Sequence, residues 1–249
     1  MINLPQETLV KVTFRCDEQN KQKMLNSNCI IHISVGQEYH EGEKFIATMD
    51  LINRTFKSCT IMLCDTLQRH SLRMKNPELS DDELYNKALI LGDEWLERNS
   101  CAYKYLSIDS KVMRWDEWLH HADYTKYRKQ IDELYRDNTE YKNKVHATIN
   151  KFLERQGLLN DEMSFKLCET YILEECPILV PLWAQTGCEF IIYPRFRTAA
   201  MSATYQHFVG NTKQTILQEV ALKFNKRTVP KKLSFSYVEK KRKISTNSH

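Results

Sequence analysis

Cys29-Ile30-Ile31-His32-Ile33-Ser34-Val35-Gly36 decides how the rest of the chain is read. It begins as a short apolar run of the kind that forms a buried strand. It then breaks at Ser34, with Gly36 two residues on and an open stretch at 37–42 beyond. In an open α/β sheet, a hydroxyl at the carboxyl end of a strand stands in the crevice where ligands bind. The same residues also fit a strand that merely ends in Ser-x-Gly, an ordinary turn composition.

The neighbouring segments place that strand in a sheet. Residues 9–14 alternate and are β-branched, which predicts a first strand. Residues 43–56 carry Phe45, Ile46, Met49, Ile52 and Phe56 at helical spacing, and 60–64 form another apolar run ending in Asp65. Strand, helix and strand in so short a span make a βαβ unit and therefore a parallel pair, with Ser34 and Asp65 at one edge. Ser80-Asp81-Asp82-Glu83 is a capping box that predicts a long amphipathic helix to about Asn99. Val112-Met113 predicts a short strand before a helical turn at 115–119, and 123–155 reads as charged helix broken near Asp137-Asn138. Residues 160–186 read as a helix bent by Pro177 and Pro181, and 190–193 as a buried strand stopped by Pro194. Residues 212–224 are read as a helix and 233–238 as a final edge strand. One α/β domain covering 1–249 accounts for all of this.

With 249 residues, 42% hydrophobic and 27% charged, the chain has the composition of a globular protein with a proper core. Six Gly and six Pro favour long helices over a loop-rich all-β protein. The N-terminus shows no basic segment followed by an apolar run, and no apolar stretch approaches the ~20 residues of a membrane span. A soluble, cytoplasmic protein is expected. The eight cysteines are scattered without metal-binding spacing, so they read as buried thiols of a reducing compartment, with no metal site and no disulfide framework. The net charge of +4 is uneven. From Lys223 onward nine Lys or Arg face only Glu239, so the remainder is net acidic. A basic, flexible tail from about 226 points to a polyanionic partner or simply to a solubilising end.

In Tyr171-Ile172-Leu173-Glu174-Glu175-Cys176-Pro177, Tyr171 and Glu175 lie four apart and share a helical face, while Glu174 points elsewhere. A carboxylate among such apolar neighbours either reaches water, pairs with Arg or Lys, or holds a cationic ligand. Tyr193 ends its strand as Ser34 does, so both hydroxyls are expected to face one crevice.

Three motifs in order, Ile-x-Ile-Ser-x-Gly-x-x-Tyr at Ile31 to Tyr39, Tyr-x-Leu-x-Glu-x-Pro at Tyr171 to Pro177, and a strand ending Tyr193-Pro194, resemble those of tRNA-dependent cyclodipeptide synthases. Gln37 and Pro194 resemble the XYP-type rather than the NYQ-type subfamily. The resemblance implies a Rossmann-like domain with a mostly parallel central sheet flanked by helices, similar to the catalytic domain of class I tyrosyl- and tryptophanyl-tRNA synthetases. It also implies no ATP chemistry. The chain has no His-x-Gly-His, and Lys232-Leu233-Ser234-Phe235-Ser236 is a poor echo of Lys-Met-Ser-Lys-Ser.

The implied reaction starts from two aminoacyl-tRNAs, whose esters are already activated. Ser34 takes the first acyl group, and Tyr171 and Glu175 hold its α-ammonium. A second aminoacyl-tRNA is then expected to attack with its amine to give a dipeptidyl-enzyme. Ring closure releases a diketopiperazine, with Tyr193 as proton relay. By the family's pattern Ile30, His32, Met62, Ile178 and Ile191 line the pocket for the first side chain, beside Gly36 and Gln37. His32 either narrows this pocket, contacts a polar substrate, or is a core histidine bonded to backbone. A monomer without cofactor is expected. One departure concerns tRNA. The stretch from Asp81 to Lys104, basic in better-known members, is net acidic here. Phosphate contacts then fall to Arg54, Lys57, Arg69, Arg73, Lys75, Lys87 or Arg98, to 126–155, or to the basic tail.

Two rivals stand beside this reading. Ser34-Val35-Gly36 echoes half of the Gly-x-Ser-x-Gly elbow of an α/β-hydrolase-like serine esterase, although His32 replaces the first glycine. The other is a non-catalytic Rossmann-like tRNA-binding module.

Overall fold

The structure is a computed structural model that describes residues 6–104, 106–210 and 217–230. Strand β1 (Gln6–Arg15) leads through helix α1 (Glu18–Met24) to β2 (Asn28–Ser34). Helix α2 (Gly42–Asn53) connects β2 to β3 (Ser58–Cys64). Helices α3 (Arg69–Lys75), α4 (Asp81–Arg98) and the single turn α5 (Ser100–Tyr103) follow, then β4 (Asp109–Arg114) and α6 (Trp115–Leu119). The long helices α7 (Tyr124–Asp137), α8 (Thr139–Gln156) and α9 (Glu162–Pro177) come next. A π-helical turn at Ile178–Leu182 runs into α10 (Trp183–Gln185), β5 (Phe190–Tyr193), α11 (Ala199–Tyr205) and β6 (Gln218–Pro230).

The strands form one sheet in the order β1-β6-β5-β2-β3-β4, parallel throughout except for β1, which runs antiparallel to β6. Helices cover both faces, as the α/β reading requires. Because successive strand side chains point to opposite faces, β2 is sorted in two. Ile31 and Ile33 join Ile61, Leu63 and Ile192 against Phe45, Met49 and Ile52 of α2. Ile30 joins Met62, Cys64 and Ile191 on the other face, under Trp115 and the Ile178–Leu182 turn. His32 and Ser34 share that second face by the same alternation. Burying each of these side chains contributes about 1.5–3 kcal/mol, so slipping β2 by one residue would forfeit both layers at once.

The capping box at Ser80 is present, and α4 ends at Arg98. The break at Asp137-Asn138 separates α7 from α8, with Asn138 capping α8 through Tyr141 N. Pro177 and Pro181 do not end α9 outright. Proline lacks the N–H that closes an α-helical turn, and the chain widens into a π-turn there. Six of the eight cysteines are buried and all are free thiols. No described helix is long and apolar enough to cross a membrane.

One segment differs from expectation. Within 212–224, read as helix, the described part from Gln218 is the start of strand β6, which continues to Pro230. Leu217, Val220, Ala221 and Phe224 fit the helical period, but Val220, Leu222 and Phe224 also alternate. Pairing with β1 and β5 selects the second pattern. Lys226 and Arg227, where a flexible tail was expected to begin, stand in β6, while the edge strand expected at 233–238 lies outside the described residues.

The edge of the sheet next to Ser34 is braced by Asp65, fully buried after β3. It accepts from Thr66 N at 2.9 Å and from Arg114 Nε at 2.5 Å, tying β3 to the end of β4. Gly92 of α4 packs onto this pair. A Cβ there would lie 2.6 Å from Asp65 Oδ2 and 2.8 Å from Arg114 Nη2. Ala ordinarily gains about 1 kcal/mol over Gly inside a helix. Here Gly92→Ala is expected to destabilise instead, by about 1–3 kcal/mol from overpacking, read as a lower urea midpoint.

Candidate active site

Ser34 ends β2, and the chain turns at once. Gln37 N donates to Ser34 C=O at 3.2 Å, with Gly36 at φ 82°. A turn of this kind needs positive φ at its third residue, which glycine adopts without strain. The loop then folds back so that His40 lies under the strand end. Ser34 N–H donates to His40 Nδ1 at 2.9 Å, and Trp95 Nε1 of α4 donates to His40 C=O at 3.0 Å. His40 Nδ1 is therefore an acceptor, and its proton sits on Nε2, for which the described residues offer no hydrogen-bond partner. Burial pushes the His40 ring down to about 3, so it is neutral. Nothing in the sequence pattern marked His40, because its work is a bond to another segment's backbone.

The Ser34 hydroxyl is within 3.2 Å of the Tyr193 hydroxyl, which is 3.0 Å from that of Tyr39. Ser34, Tyr193 and Tyr39 thus form a line of three exchangeable protons. His32 stacks on the Tyr193 ring with centroids 4.9 Å apart, and meets Trp183 edge-on at 6.0 Å. Burial holds the His32 ring down at about 3. Its Nε2 has no hydrogen-bond partner among the described residues and lies 4.0 Å from Glu175 Oε1. That nitrogen, at least, is not the backbone-bonded atom of an ordinary core histidine.

The two glutamates of α9 have opposite surroundings. Desolvation alone would raise the Glu174 carboxyl, but hydrogen bonds from His70 and Arg69 outweigh it and hold it at about 2. Arg69 Nη1 and His70 Nε2 lie 2.8 and 3.0 Å from it, and Trp115 Nε1 donates at 2.9 Å. Glu175 is equally buried, with neutral His32 as its only ion-pair neighbour among the described residues. Burial, reinforced by Glu219 and Glu174, pushes its carboxyl up to about 8. Tyr171, one turn earlier on the same face, is partly buried and accepts weakly from Gln68 Nε2 at 3.5 Å.

The structure brings Ile30, Met62, Ile178 and Ile191 into one buried cluster beside His32, and leaves Gly36 and Gln37 exposed at the rim. It does not bring the seven candidate tRNA cations together. Arg54 and Lys57 precede β3, at the sheet edge away from Ser34. Arg69 is committed to Glu174, and Arg73 to Asp81 and Leu79 C=O. Lys75 ends α3. On α4, Lys87 donates to Asn76 and Arg98 pairs with Glu41.

Neither a scan against protein-family models nor a search of curated proteins finds a match. Solved structures do match. A cyclodipeptide synthase from Fluoribacter dumoffii is 38% identical, with a TM-score of 0.83 over 89% of this chain and 100% of that one. A cyclodipeptide synthase from Candidatus Glomeribacter gigasporarum, solved bound to Phe-tRNAPhe, shares the fold at 22% identity and a TM-score of 0.64, over 86% of this chain and 94% of that one. A Mycobacterium tuberculosis protein described as relating cyclodipeptide synthetases to type I tRNA synthetases does so at 14% identity and a TM-score of 0.65, over 88% and 94% of the two chains. With more than a third of its residues shared across the whole of the Fluoribacter protein, the chain belongs to the cyclodipeptide synthase family.

Proposed function

We propose that this chain joins the aminoacyl groups of two aminoacyl-tRNAs into a cyclic dipeptide by way of covalent esters on Ser34. The observation that carries the reading is the placement of the Ser34 hydroxyl, on its Tyr193–Tyr39 hydroxyl line, on the face covered by α9 with its unpaired Glu175. An aminoacyl ester offers a carbonyl for the one and an ammonium for the other. The sequence pattern of Gln37, Tyr193 and Pro194 supports the XYP-type subfamily.

In the first step Ser34 Oγ attacks the ester carbonyl of one aminoacyl-tRNA. The acyl–oxygen bond to the terminal ribose breaks, and the serine proton passes by way of Tyr193 to the departing ribose oxygen. Glu175 and the Tyr171 hydroxyl hold the α-ammonium. Atom balance sets the second step, and it reverses the direction expected from sequence. If the incoming amine attacked the Ser34 ester, the dipeptide would leave on tRNA. For a dipeptidyl-enzyme to form, the amine of the Ser34-bound aminoacyl group must attack the ester of the second aminoacyl-tRNA, whose tRNA departs. A carboxyl that titrates at about 8 is suited to take the proton that this amine must lose. The new terminal amine then attacks the Ser34 ester, closes the six-membered ring and restores the serine hydroxyl.

The test is to express the full chain and its Ser34→Ala variant in bacteria and search both media for diketopiperazines by mass spectrometry. The wild type is expected to yield one, the variant none, and only the wild type to gain an aminoacyl mass with aminoacyl-tRNA. A product made equally by the variant would sink the covalent route. Hydrolysis of simple esters without any tRNA requirement would favour an esterase.

Glu175 also predicts how stability depends on pH. Unfolded, its carboxyl titrates near 4.5, and folded near 8. Between these values the folded form holds the extra proton, so this group lowers stability as pH rises. Glu175→Gln is expected to melt close to the wild type at pH 5 and above it by pH 8, while losing product formation. Parallel melting curves at both values would remove the assigned burial.

A further inference from the structure

Proton balance leaves the reaction proposed above with protons to dispose of. When both α-nitrogens arrive as ammonium groups, each gives up two protons on becoming a ring amide. Two of these four go to the departing ribose oxygens, one from each tRNA, and the proton lent by Ser34 in the first step returns to it at ring closure. Two protons must therefore reach solvent in every cycle. Glu175 takes one, from the amine held beside it. Its carboxyl titrates at about 8, so at neutral pH it keeps that proton and is not free to take another. The second amine loses its proton as it closes on the Ser34 ester, next to the hydroxyl of Tyr193.

The hydroxyls at that point lead outward. Ser34 Oγ is 3.2 Å from the Tyr193 hydroxyl, and that oxygen is 3.0 Å from the hydroxyl of Tyr39. Ser34 is buried, whereas Tyr39 is half-buried and follows the exposed residues Gly36, Gln37 and Glu38. Two hydrogen-bond steps thus span the distance from the interior to the surface. Burial pushes the Tyr193 phenol up, so a phenolate there is disfavoured. A proton crosses such a line by hopping, each oxygen accepting one proton as it gives up its own. Tyr39 is firmly seated for this. It lies in the turn Glu38–His40, where His40 N–H donates to Gln37 C=O at 2.8 Å and His40 Nδ1 accepts from Ser34 N–H. Its ring meets that of His40 edge-on at 4.6 Å, and the Arg195 guanidinium lies 5.8 Å from its centre.

Resting on the function proposed above, we infer that Tyr39, acting through Tyr193, carries the proton of the second amine out to solvent at ring closure. The ammonium gives one proton to the Tyr193 oxygen, Tyr193 gives its own to Tyr39, and Tyr39 gives its own to water. Arg195, which has no acceptor, cannot intercept it. The freed amine then attacks the ester carbonyl. Its surplus proton goes to Ser34 Oγ as the acyl–oxygen bond breaks, and the ring departs. Acylation of Ser34 makes no such demand, because the proton leaving the serine is taken up by the ribose oxygen. Since Tyr39 touches Tyr193 and not the reacting atoms, it is a positioning residue, and its effect falls on the last step.

The test compares the full chain with its Tyr39→Phe variant, which keeps the ring against His40 and Arg195 and removes the hydroxyl alone. Both are given bulk bacterial tRNA charged with the full set of amino acids. Mass spectrometry follows the first gain of aminoacyl mass on the protein and the steady release of cyclic dipeptide. Tyr39→Phe should acylate Ser34 within about twofold of the wild-type rate, yet release cyclic dipeptide about tenfold or more slowly and accumulate dipeptidyl mass. Added imidazole, a small proton carrier, should restore release in the variant and leave the wild type unchanged. Tyr39→His, which puts a proton carrier on the same turn, should lose less, and far-ultraviolet circular dichroism checks that each variant is folded. Wild-type release by Tyr39→Phe, an equal loss in acylation, or a slowed release that imidazole does not repair would overturn the assignment while leaving synthesis by the wild type intact. A wild type that gains no aminoacyl mass and makes no diketopiperazine would overturn the functional reading and this one together.

Discussion

Helix α9 carries two adjacent carboxylates into an interior of low dielectric, where an unpaired charge is costly. A helix turns about 100° per residue, so the two cannot share an environment. Glu174 faces α3 and α6, where Arg69, His70 and Trp115 converge on it. Glu175 meets a neutral imidazole instead, and its charged neighbours, Glu219 and Glu174, are carboxylates like itself. The fold can keep Glu175 buried only by letting it hold its proton. That constraint reaches outward: the π-turn that follows α9 seats Ile178 to Leu182 on the sheet face and closes the apolar wall around the carboxyl. On the function proposed above, a site for an ammonium group is thereby prepared before any ligand arrives, at the expense of folding stability.

Ser34, the proposed nucleophile, is positioned by different means. Ser34 is the last residue of a strand that is buried on both faces, so its backbone is fixed by pairing with β3. Its N–H would be left without a strand partner at the sheet edge, and His40 supplies one. Because α4 in turn holds the His40 carbonyl through Trp95, the serine's position depends on a helix on the far side of the loop. Asp65, Arg114 and the close approach at Gly92 fix that helix against the same edge.

Much of this was written in the sequence, and the exceptions have a common cause. Strands β2 and β3, helix α2, the Ser80 cap and the break at Asn138 are local: each depends on residues a few positions apart, so period and capping chemistry reveal them. Ser34, Tyr193 and Glu175 were legible because strand ends and a buried carboxylate are distinctive in themselves. β6 was misread because its apolar residues satisfy both periods, and only the remote β1 decides between them. His40 and the partners of Glu174 were out of reach for the same reason. Arg69 and Glu174 lie 105 positions apart, and no periodicity spans such a separation.

β1 is the outermost strand of the sheet, and its free edge presents backbone donors and acceptors that any other extended segment could pair with. Its outward face is not apolar. Lys11 and Arg15 alternate along it, and Lys223 stands beside them on β6. Two copies approaching edge to edge would bring like charges together before a hydrogen bond formed. These exposed cations on β1 and β6 therefore guard the protein's colloidal behaviour. A variant that neutralised these side chains would lose that protection, and association between copies would become the limit on how far the surface can be changed.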